Sequence, residues 1–193
     1  MMSDYFSIYS DLIDKLKTIV AESKQRVIND PPDHLFEVNQ NFFVKAYLIS
    51  LCTYLEAFLQ DVATAHVECA KARIAAARVP HNMVRWSIHR DTKERDFTFT
   101  DFCLPLERSD IESELSGNPW KTIVLFKKIG INLPSDSNFD SIKQVVGSVV
   151  EKRNRIVHQN DDAADLSLDD IAGYADQFLA YMQAIHDLVV GAS

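Results

Sequence analysis

The sequence predicts an all-α fold, an up-and-down helical bundle with an irregular insertion between core helices, and three observations carry that expectation. Apolar residues recur at three- and four-residue steps over long segments, the period of a helix and not of a strand. Only 5 glycines and 6 prolines occur in 193 residues, too few for a sandwich of many short strands. Hydrophobic residues make up 47% and charged residues 25%, a mixture that can bury a core, unlike that of a disordered or collagen-like chain. At this length the chain is expected to be a single domain, residues 1–193, with the insertion at about 80–117.

The first helix is predicted from about Asp4 to Ile28. Tyr5, Ile8, Tyr9, Leu12, Ile13, Leu16, Ile19 and Val20 form its apolar stripe. Asn29-Asp30-Pro31-Pro32 ends it, because proline lacks an amide hydrogen and its predecessor avoids helical dihedrals. A second helix starts near Asn41, has Val44, Tyr47, Leu48, Leu51, Leu55, Phe58, Leu59 and Val62 as its apolar face, and continues until Pro80. At 1.5 Å per residue it spans roughly 57 Å and is expected to bend or to protrude beyond its neighbours. From 80 to 117 the pattern fails. Arg85 to Arg95 is polar and basic, FTFTDFCLPLERS reads as extended or irregular, and SDIESEL as a short helical turn. Asn118-Pro119-Trp120 then opens a helix, with Asn as N-cap and Pro at the first helical position, and Gly130 closes it. The next helix runs from Asp140 to about Val157, with Ile142, Val145, Val146, Val149 and Ile156 on one stripe. Ser167 to Asp170 has the spacing of a capping box and starts a last helix through Val190. Helices of this kind, joined by short turns, bury their stripes against one another.

Composition also narrows the function. The longest uncharged run is ten residues, Ala46 to Leu55, short of the roughly 20 needed to span a bilayer, so no membrane partner is expected. The N-terminus has no basic start and is interrupted by Asp4, Asp11 and Asp14, unlike a secretory signal. Cys52, Cys69 and Cys103 form no CxxC pair, and free thiols fit a cytoplasmic location. Net charge is −8, which argues against broad coating of nucleic acid, but residues 71 to 95 hold seven Lys/Arg against Asp91 and Glu94. That stretch is either an arm that contacts RNA, with Trp86 and His89 able to stack on bases, or a solvated helix extension with Trp86 anchoring it to the bundle. Phosphate-cradling glycine motifs, H-E-x-x-H and EF-hand loops are absent, so neither a cofactor nor a metal is expected. His81 and His89 read as surface histidines.

One constellation stands out. Arg153 falls where the stripe of the penultimate helix calls for an aliphatic residue, and a charge on a bundle-facing stripe is costly unless paired. Asn154 and His158 are four apart and share a helix face, so that Asn154 is placed to hold a ring nitrogen of His158. Arg153 and His158 are five apart, about 140° around a regular helix. They meet at one small target only if the helix ends near Val157 or if two copies of the motif converge. Read without further context, the favoured reading is that Arg153 is an ion-pair partner of Glu56, with His158 a polar helix end favoured by the dipole.

Arg153-Asn-Arg-Ile-Val-His158 resembles the RNxxxH form of the Arg-x4-6-His motif of the HEPN superfamily. Leu48-Ile-Ser-Leu-Cys-Thr-Tyr-Leu-Glu-Ala-Phe58 is similar to the Leu-Glu-x-Phe helix of HEPN subfamilies such as RiboL-PSP-HEPN and the MAE_28990-like group. The order of helices and insertion fits as well. The resemblance implies a metal-independent endoribonuclease, often found in toxin–antitoxin or anti-phage systems and commonly a homodimer with two motifs facing across a cleft. On this chain it implies that His158 is the acid/base group, an imidazole being suited to proton transfer near neutrality. It further implies that Arg153 stabilises the phosphorane, that Asn154 orients the phosphate or His158, that Lys152 and Arg155 face the RNA substrate, and that Glu56 steadies Arg153. A neutralising antitoxin protein is a possible partner. The competing reading is a non-catalytic module of the same fold that dimerises or binds a protein. A weaker third is an antitoxin-like or nucleotide-binding accessory protein, disfavoured by the lack of phosphate loops.

Overall fold

Amphipathic periodicity at this length leaves helix-on-helix packing as the way to bury the stripes, and a computed structural model of the chain describes that arrangement for residues 4–159 and 162–192. Among these residues there are eight α-helices and no named strand. They are α1 (Tyr5–Ile28), α2 (His34–Val38), α3 (Gln40–Ala77), α4 (His81–Ile88), α5 (Arg108–Glu114), α6 (Pro119–Lys128), α7 (Ser137–Gln159) and α8 (Leu168–Gly191). The bundle is made by α1, α3, α7 and α8, with α6 laid on α7 and α5 filling the side between α3 and α6.

The caps follow from sequence chemistry. Asp4 accepts from the Ser7 amide at the start of α1, and Asn118 accepts from the Trp120 and Lys121 amides at the start of α6. Ser167 and Asp170 complete the capping box of α8, with Asp replacing the usual Glu. α7 begins three residues before the expected Asp140, because the Asp136 carboxylate accepts from the amides of Asn138 and Phe139. It also ends two residues later than expected, at Gln159. α2 was not expected; Asp33 caps it through the Leu35 amide.

The centre is filled by Ile13 of α1, Leu48, Leu51, Leu55, Phe58 and Leu59 of α3, Phe139 of α7 and Phe178 and Tyr181 of α8, all closed to solvent. An 18-residue window of α3 has a mean hydropathy of 1.5, enough by length and composition to cross a membrane. Its apolar residues from Val44 to Val67 are instead spent on this core. Gly117 sits where α3 meets α7. A Cβ there would lie 3.4 Å from Val150 and 3.9 Å from Leu55, in ordinary contact with both helices that carry the site.

The insertion divides in two. α5 belongs to the bundle, with Ile111 and Leu115 buried. The remainder stands off it. No residue of α3 after Val67 is fully buried, and Lys71 still donates to the Leu106 carbonyl at 3.0 Å. Arg78 ends the helix in the left-handed region, at φ 50°. Residues 79–102 then form a closed arm, pinned at its root by the Phe102 amide donating to Val79 at 2.7 Å and the His81 amide donating to Thr100 at 3.0 Å. Helix α4 within it buries no residue. Trp86 does not anchor the arm to the bundle; it is 55% exposed and carries the Arg90 guanidinium 4.8 Å over its ring.

Candidate functional site

The motif lies on the last two turns of α7, where the helix crosses α3. Phe139, Val146, Val149, Val150 and Ile156 form the buried side of α7, and Arg153 falls on the same line. Its side chain is 19% exposed, and its Nη2 donates to Glu56 Oε2 on α3 at 2.9 Å. Its Nη1 donates to Asn154 Oδ1 at 3.1 Å. Its Nε is buried with no hydrogen-bond partner. A buried donor left unsatisfied is costly, and a catalytic role is one of the reasons such a group persists. Beneath the guanidinium lies Cys52, one turn before Glu56 on α3. Burial pushes its thiol up to about 12 against the opposing pull of Arg153, so it stays a neutral packing group.

His158 is exposed and makes no hydrogen bond to another described residue. Asn154, expected to hold a ring nitrogen of His158, turns its carboxamide oxygen to Arg153 instead. α7 is helical through Gln159, so both motif residues have helical backbone. Arg153 and His158 therefore keep their separation of about 140° within one chain.

The two flanking cations differ. Lys152 does not face outward as expected: it is 8% exposed and its Nζ donates to Asp165 at 2.5 Å. The physical reason is register, because position 152 lies three residues after Val149 and points toward the start of α8. Arg155 is exposed, and its Nη1 lies 3.8 Å from Glu151. Lys152 and Arg155 line a groove of about 310 Å³ with Val149, Asp165, Leu166 and Tyr174.

A different cleft, of about 190 Å³, opens beside Asn154. Asn118 and Trp120 of α6 form one side, and Gln144, Gly147, Ser148, Glu151 and Asn154 of α7 the other. The motif alone did not reveal these residues. The signal was nevertheless present, since 144, 147, 151, 154 and 158 follow a three–four alternation that places them on one helix face. Residues 118 to 159 also hold seven Lys/Arg against Asp136, Asp140 and Glu151, so this stretch of the acidic chain is locally basic. Among the described residues no group of three His, Cys, Asp or Glu side chains is placed to hold a metal ion.

The fold is that of a HEPN domain. The RiboL-PSP-HEPN family model matches residues 3–191, and the chain belongs to that family. No curated protein and no solved structure matches it.

Proposed function

We propose that this protein is a metal-independent endoribonuclease of the HEPN type that works as a homodimer. The observation that carries this reading is the state of the motif: Arg153 is held from two sides with a buried donor to spare, and five residues later His158 is exposed and unengaged. An ion pair serving the fold alone requires neither the open Nε nor the free imidazole.

On an unbroken helix the two groups of one chain do not converge, so the reading uses two copies of α7 about a twofold axis. Val157, 49% exposed between Asn154 and His158, supplies apolar surface for that contact. One His158 takes the proton of a ribose 2′-hydroxyl as its oxygen attacks the adjacent phosphorus. The bond from phosphorus to the 5′-oxygen breaks, and the second His158 returns a proton to that oxygen. The products are a 2′,3′-cyclic phosphate and a 5′-hydroxyl. Arg153 meets the charge that builds on the phosphorane oxygens, being permanently cationic and fixed in advance by Glu56 and Asn154. Lys152, committed to Asp165, acts through the fold, whereas Arg155 is exposed at the rim. A cytoplasmic role in toxin–antitoxin or anti-phage defence, with a neutralising partner protein, is part of this proposal.

The purified protein is expected to cut single-stranded RNA in the presence of EDTA and to sediment as a dimer at micromolar concentration. His158→Ala should lower the rate by roughly 10²–10⁴ with unchanged helix content. The second reading, a non-catalytic binding module, is favoured by the engagement of Arg153 with Glu56 and Asn154. It requires that RNA stay intact and that only Arg153→Ala, not His158→Ala, have any effect.

A further inference from the structure

We infer that the cleft between α6 and α7 is a nucleobase subsite selective for guanine, next to the scissile phosphate; this rests on the ribonuclease reading. The first ground is its lining. The carboxamides of Asn118, Gln144 and Asn154, the hydroxyl of Ser148, the carboxylate of Glu151 and the Trp120 indole surround it, and no lysine or arginine does. Such a set suits a neutral ring with a hydrogen-bonding edge better than it suits a phosphate.

The second ground is Gly147. A glycine inside a helix is destabilising relative to alanine, so it needs a reason. Packing does not supply one, because a Cβ at Gly147 would lie 3.8 Å from Pro119, an ordinary contact. What its missing side chain does leave open is the floor of the cleft. The third ground is Trp120. It is 49% exposed in the first turn of α6, and the Lys143 ammonium sits 5.5 Å over its ring. A large indole kept at the surface beside a polar cleft is a stacking platform for a base.

The carboxylate selects among bases. Guanine alone among the four presents two adjacent donors, N1–H and the 2-amino group, on its Watson–Crick edge, and Glu151 accepts both. The amide nitrogens of Asn118 or Gln144 are then placed to donate to O6. Position also agrees. Glu151 and His158 share a face of α7 and are seven residues apart, roughly 10 Å along the axis, the span of a nucleotide or two.

The test uses the full-length protein carrying Trp86→Phe, which leaves Trp120 as the remaining one of the 2 tryptophans. The probes are 2′-O-methyl oligouridines with a central guanine, adenine, cytosine or hypoxanthine; they lack the attacking hydroxyl and stay intact. The guanine oligonucleotide is expected to quench Trp120 and to bind roughly tenfold more tightly than the adenine one, with hypoxanthine in between. Glu151→Gln, an exposed change, should bring guanine and adenine to within about twofold. Gly147→Leu should block quenching without lowering the unfolding temperature. Equal binding of all four bases, unquenched Trp120 emission, or a guanine preference that survives Glu151→Gln overturns the subsite. Cleavage of unmodified RNA without guanine preference removes the subsite and leaves the nuclease. Guanine-selective binding without cleavage removes the nuclease and leaves the subsite.

Discussion

The arm of residues 79–102 and the end of α7 have similar ingredients, arginines, histidines and large apolar side chains, yet they occupy opposite physical regimes. In the arm, Met83, Trp86, Ile88, Phe97 and Phe99 are exposed, Phe99 to 94%. Its polar contacts are internal: Arg85 donates to the Asp96 carbonyl and Asn82 accepts from the Thr98 amide. At the end of α7 one arginine and one apolar side chain are instead bound to other helices, Arg153 to α3 and Ile156 to the core, while His158 stays exposed. Identity of residues thus says little about energy; what decides is whether water or protein surrounds them.

Substitutions can break or sharpen that contrast. The largest effect is expected for Phe58→Ala, two residues from Glu56 and closed to solvent, which should cost about 3–5 kcal/mol in urea unfolding. Arg153→Ala comes next. It leaves Glu56, 31% exposed, without its partner and should cost about 2 kcal/mol, less than a fully buried pair would. A loss near zero would mean that Arg153 is not part of the bundle's framework. Cys52 should add a pH dependence. Its thiol is raised from 9.0 to about 12 in the folded chain, so folding holds a proton that the unfolded chain releases. The stability this represents is intact below pH 9.0 and is lost as pH rises toward about 12, by at most about 1.4 kcal/mol per pH unit. Urea unfolding curves at rising pH measure it as the difference from Cys52→Ala, which keeps the parallel losses from the hydroxyls of Tyr9 and Tyr181. Phe99→Ser should change stability least, by no more than about 0.5 kcal/mol. A larger loss would show that the arm packs on the bundle in solution.

Much of this architecture is legible in the residues because the period of the apolar stripes and the chemistry of the caps act locally. Asn118-Pro119 and Ser167 to Asp170 mark helix starts whatever lies around them. The motif residues are legible for a related reason, since Arg153 contradicts its own stripe. What was not legible depends on register between helices. Lys152 and Arg153 are neighbours in sequence, and only the crossing of α7 with α3 and α8 decides that one meets Glu56 and the other Asp165. The cleft escaped because it needs α6 as its second wall. The short α4 escaped because it has no buried face to impose a period.

The unbroken length of α3 has one more consequence. From Glu56 to Arg78 the chain is a single rod with no proline, roughly 33 Å long at 1.5 Å per residue. It works as a rigid spacer that sets how far the root of the arm stands from Arg153. Inserting three or four residues after Val67 would lengthen that spacer by about one turn, 5.4 Å.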